Sequence, residues 1–133
     1  MKEIQFIIVI LAVGICIYLG WKEIKRLDNR LDKLNSELDS TLTKLKKLAQ
    51  NVYSKQAEIE NNQASASDVI KALGSAQHLW LTFINADCEY SYQSGRGGSG
   101  TGASYSASNC MVKHIKARLV HLNNEIITLQ DLL

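Results

Sequence analysis

The residues best able to do chemistry in this chain are three cysteines and three histidines. Cys110, His114 and His121 fall at intervals that place them along one helix face. Cys88 could approach from a neighbouring segment, and thiolate with imidazole is a zinc donor set. The spacing is not that of a zinc finger, and a bond between Cys88 and Cys110 would use both sulfurs. No metal is therefore expected, and His114 and His121 read as a solvent-facing edge beside Lys113 and Arg118. A Cys–His nucleophile would need a shaped, water-limited pocket with an oriented base, which a small helical head does not build. No enzyme activity is expected. Gly95, Gly97 and Gly100 spell GxGxxG, but the dinucleotide fingerprint needs a strand before it and a helix after it. Nor does a Lys-Ser/Thr pair follow to make a phosphate loop. The glycines read as a flexible connection, and no cofactor is called for.

The cysteine arithmetic favours a structural pair. Cys16 lies inside an apolar N-terminal run, while Cys88 and Cys110 flank the glycine- and serine-rich stretch 95–108, GRGGSGTGASYSAS. One pair plus one membrane-buried thiol suits a head in an oxidising compartment. A Cys88–Cys110 bridge would close a loop of 23 residues, 88 to 110 inclusive. In the chain-entropy account that is worth about 3 kcal/mol.

Three kinds of element must carry these residues. Ile4–Trp21 is an apolar run interrupted only by Gln5, with no charge between Glu3 and Lys22. As a helix it spans roughly 27 Å, enough for a thin hydrocarbon core. Tyr18 and Trp21 sit where amphipathic rings favour the headgroup level. A cleaved signal sequence is the competing reading, but cleavage after the small residues near Gly14 would expose ICIYLGW. Residues 1–21 are therefore expected to be a retained single-pass anchor in the inner (cytoplasmic) membrane. Lys22, Lys25 and Arg26 favour a cytoplasmic location for the stalk and head. The cysteine pair favours the periplasm or the cell exterior, and is given more weight.

Residues 22–65 carry a seven-residue repeat. One set of positions holds Ile24, Leu31, Leu38, Leu45, Val52 and Ile59; the set three later holds Leu27, Leu34, Thr41, Leu48, Lys55 and Asn62. Sustained apolar positions of this kind predict a coiled-coil stalk, paired with a partner helix or with another copy of the chain. Charged residues such as Asp28 and Lys33 read as its solvated face.

Residues 66–133 form the head. Ser67 is the expected cap of a helix whose apolar face holds Val69, Ile70, Leu73, Ala76, Trp80, Phe83 and Ile84. The heptad phase also runs on through Ala66, Leu73 and Trp80, which would allow stalk and head to share one helix. A second stripe, Val112, Ile115, Leu119, Leu122, Ile126, Leu129 and Leu133, predicts a last helix. The fold class is thus all-α: transmembrane helix, long coiled-coil helix, and a disulfide-tied helical hairpin. Trp80 is expected in the core, and Arg118 at the carbonyls of the 95–108 loop. Tyr90, Tyr92 and Tyr105 are expected as contacts for a protein partner.

Charge narrows the partners. Residues 22–60 hold nine Lys/Arg and seven Asp/Glu, and residues 61–133 five of each. A neutral head lacks the basic face that nucleic acid requires. The membrane and a protein partner remain.

Trp80, Cys88 eight residues later, Gly97-Gly98-Ser99, Cys110 and Arg118 eight residues after it make a spaced pattern, with Leu122 in register. This pattern resembles the bacterial LprI-type lysozyme-inhibitor family, over roughly residues 70–125, with the stalk standing in place of the upstream part of the domain. Ile84-Asn85 stands where that family often has Arg-Asp, and Ile115 where it often has Thr. The resemblance implies a small secreted or membrane-anchored helical domain whose partner is a lysozyme-type muramidase. A neutral head would bind through shape and aromatic anchors rather than charge. The alternative is a coiled-coil spacer or assembly protein of the envelope, without inhibitory activity.

Overall fold

A computed structural model describes residues 1–59, 65–95 and 100–133. It is all-α, with α1 over Lys2–Ile59, α2 over Ala66–Ser94 and α3 over Gly100–Gln130, and no strand among the described residues. The sequence contains no proline. Every backbone N–H can therefore enter a helical hydrogen bond, and α1 runs for 58 residues without interruption. Its first third is long and apolar enough to cross a membrane. There Phe6, Ile10, Ile17 and Trp21 are all exposed.

The heptad stripe is buried inside the chain. Leu38, Leu45, Ala49 and Val52 of α1 form one core with Ile115, Leu119, Leu122, Ile126 and Leu129 of α3. From α2, Val69, Leu73 and Trp80 close the flank. The partner helix that the stripe needs is thus α3, which runs parallel to α1, with α2 antiparallel to both. The stripe fades toward Ile59, which is 81% exposed. Stalk and head do not share one helix: α1 and α2 are separate and pack side by side. The heptad position Asn62 lies outside the described residues.

The cap of α2 is Ser65, not Ser67. Its Oγ accepts a hydrogen bond from the Asp68 N–H at 3.2 Å and donates one to Asp68 Oδ2 at 2.7 Å. Position 65 is favoured because it sets the carboxylate three residues on, the spacing of a capping box. The face of α2 also differs from the expected one. Ile84 is fully buried but its neighbour Phe83 is 58% exposed, and Ala76 is exposed too. Adjacent helical residues lie about 100° apart, so only one of the two can face the core. Ile84 wins because it is in phase with Cys88, one turn on, which is tied to α3.

Helix α3 begins within the stretch read as a flexible loop. Residues 100–108 are helical, and Ala103 is wholly buried. Tertiary packing overrides the weak helix propensity of glycine and serine here. Gly95 is what allows it. A Cβ at that position would lie 3.1 Å from the Ala103 backbone and 2.9 Å from Ser106 Oγ. Its own N–H closes α2 by bonding to the Ser91 and Tyr92 carbonyls.

Candidate functional site

Three cross-links between α2 and α3 build the site. The lowest is the disulfide between Cys88 and Cys110, whose Cα atoms are 5.5 Å apart. Next, Asp87 and His114 meet, with His114 Nε2 2.6 Å from Asp87 Oδ2. The His114 and Phe83 rings meet nearly perpendicular, at a centroid distance of 5.6 Å. His114 is thus a half-buried bridging residue and not the solvent-facing edge that the sequence suggested. His121 is exposed.

One turn above His114 on α3 stands Arg118. Its Nε–H donates to Gln77 Oε1 at 3.1 Å, and its guanidinium lies over the Trp80 ring at 5.7 Å, within cation–π range. Burial pulls its pKa below the usual guanidinium value. Arginine nonetheless stays charged in proteins. Arg118 therefore fastens the middle of the hairpin, and among the described residues it makes no hydrogen bond to the 95–108 stretch. Trp80 is half-buried at the rim of the core, where its ring serves both the core and Arg118.

Ligand atoms of Cys88, Cys110 and His114 lie within 4.8 Å of one another. The two sulfurs are bonded to each other, so neither offers a thiolate. Asp87, Lys113 and His114 line one side of an open groove of about 460 Å³, with Tyr105 and Asn109 along it. Of the tyrosines, Tyr90 is 71% exposed and Tyr105 47%, while Tyr92 is half-buried. Gly97, Gly98 and Ser99 lie outside the described residues.

One surface was not foreseen. Leu79, Phe83, Ala86 and Tyr90 follow one another along the outer face of α2, all exposed. Their spacing is helical and runs one position out of phase with the core residues. That offset was the available signal. The cross-links behind this face hold it against the rest of the bundle.

The lysozyme inhibitor LprI family model matches residues 19–122, well over half of the chain. The chain belongs to the LprI family. No curated protein and no solved structure matches it. The LprI match begins far upstream of residue 70. The heptad helix is therefore part of the family's domain and not a replacement for its first part. This agrees with the core, in which Leu38, Leu45 and Val52 pack against α3. LprI is a family of inhibitors rather than enzymes.

Proposed function

We propose that this LprI-family chain is a membrane-anchored envelope protein whose disulfide-closed bundle binds and inhibits a lysozyme-type muramidase. The family match over residues 19–122 carries the reading. The surface offered to the muramidase is the outer face of α2, with Leu79 and Phe83 at its centre. An exposed row of large apolar side chains costs solubility, and such patches mark interaction sites. Phe83 is held in place by the His114 ring, so little side-chain freedom is lost on binding. The formally neutral head fits recognition through shape and aromatic contact. Residues 1–21 serve as the anchor, supported by the exposed apolar run of α1 and by Tyr18 and Trp21 at its end. The disulfide supports a head outside the cytoplasm.

Lysis of bacterial cell walls by a muramidase, followed by turbidity with increasing full-length protein in micelles, tests the activity. Dose-dependent protection is expected, and Leu79→Ala with Phe83→Ala should weaken it at least tenfold. Unchanged lysis at large molar excess would remove the muramidase as partner. Protection that survives both substitutions would move the contact to another face.

A further inference from the structure

The bundle does not stand clear of the segment that precedes it. Gly20, Glu23 and Ile24 of α1 line one groove of about 490 Å³ together with Gly95, Gly102, Tyr105 and Ser106. One turn further along both helices, Ser108 Oγ lies 3.4 Å from Asp28 Oδ1, which fixes the same parallel register. The C-terminal end of α2 and the first turns of α3 thus lie beside the end of the apolar run, and the C-terminal end of α1 lies with the start of α2 at the far pole.

We propose that this end of the bundle, Gly95 with Gly102, Tyr105 and Ser106, rests in the lipid headgroup layer of the membrane that α1 crosses. The proposal rests on the anchored reading of residues 1–21 given above. At 1.5 Å rise per residue, Ile24 is only about 5 Å beyond Trp21. The polar layer on each side of a bilayer is about 5–7 Å thick. Whatever packs beside Gly20–Ile24 is therefore at headgroup depth. Helix α1 is unbroken here, so the bundle has no joint with which to lift away.

The chemistry of this end of the bundle suits that depth. No Asp or Glu occurs from residue 90 to 108, and Glu23 of α1, which lines the same groove, is paired with Arg26 at 2.9 Å. Tyr105 is half-exposed, and tyrosine rings favour the membrane–water interface. Lys22, Lys25 and Arg26 lie at the same level on α1, and such cations attract anionic lipids. Lys25 lies over the Trp21 ring at 5.1 Å, which keeps its charge close to the span. Tyr105 thereby becomes a lipid contact rather than a protein contact. Leu79 and Phe83, higher on α2, remain free for a protein partner.

The test uses full-length protein in phosphatidylethanolamine–phosphatidylglycerol vesicles. Quenching comes from lipids brominated near the top of the acyl chain. Trp80→Phe leaves Trp21 as the sole emitter, Trp21→Phe leaves Trp80, and Trp21→Phe/Trp80→Phe/Tyr105→Trp places the emitter at position 105. The expected result is comparable quenching at positions 21 and 105, with none at Trp80. Quenching at 21 but not at 105 would overturn the proposal and leave the anchor standing. No quenching at 21 would remove the anchor, and the proposal with it. The unsubstituted protein gives an independent measurement through a headgroup-tethered photoreactive lipid and peptide mapping. Adducts on residues 102–106 are expected, and adducts confined to residues 1–24 count against the proposal.

Discussion

Leu45→Ala probes the packing on which the bundle depends. Leu45 is 4% exposed and sits in the core shared by α1 and α3. The substitution removes three carbons, worth about 2.4 kcal/mol at about 0.8 kcal/mol each. A residual cavity adds to this, so the expected loss is about 3 kcal/mol, within the range of roughly 2–5 kcal/mol for buried leucines. The cover over Leu45 comes from the same chain, so the unfolding midpoint should not depend on protein concentration. Urea unfolding of the full-length protein in micelles, followed by helical ellipticity over a wide range of protein concentration, reads both quantities. A midpoint that rises with concentration would show that the seam is shared between copies of the chain. A loss below about 1 kcal/mol would refute the packing itself.

The double substitution Cys88→Ser/Cys110→Ser should cost about 3 kcal/mol by loop entropy, with no change in muramidase binding where the bundle still folds; urea unfolding with a binding titration checks it. Arg118→Lys keeps the charge but loses the planar stack on Trp80 and the Nε–H bond to Gln77. A loss of about 1–2 kcal/mol is expected, with a change in Trp80 fluorescence that the neighbouring His121→Ala does not produce. Ser65→Ala removes the N-cap of α2 and should cost about 1 kcal/mol, seen as faster amide exchange in the first turn of that helix. Gly95→Ala brings a methyl group into the tight passage beside Ala103 and should cost roughly 1–3 kcal/mol by thermal unfolding.

The parts of this fold that repeat are legible in the sequence. The heptads of α1 and the stripe of α3 name most of the buried leucines directly, because both are long and free of proline; the stripe stops at Leu129, since Leu133 lies past the end of α3 and is 61% exposed. Cys88 and Cys110 were legible because so few other thiols compete. What the sequence hid was which helix covers which. Leu38, Leu45 and Val52 look the same whether their cover is a second chain or α3. Only the long-range packing of Ile115 and Leu122 distinguishes the two. Local pattern also failed where packing overrides propensity, as at residues 100–108, where Ala103 and Gly95 enforce helix. The site was legible in its ingredients but not in its wiring. Nothing in the spacing of Asp87, His114, Gln77 and Arg118 says that they pair across the hairpin. The outer row from Leu79 to Tyr90 is obscured in the sequence because Phe83 and Ile84 are adjacent and both fit the core spacing.

A rigid axle connects the two ends of this molecule. Helix α1 passes without a joint from Ile4 to Val52, so the same rod that lies in the apolar run also forms a wall of the core. On the proposed anchored reading, the compass bearing of Leu79 and Phe83 around the membrane normal is set by the rotational phase of the span. One residue inserted between Trp21 and Leu31 would swing that bearing by about 100° and raise it by about 1.5 Å. On that reading, anything that turns the span within the bilayer would turn the proposed protein-facing side by the same angle, and the anchor would be a steering element as well as a tether.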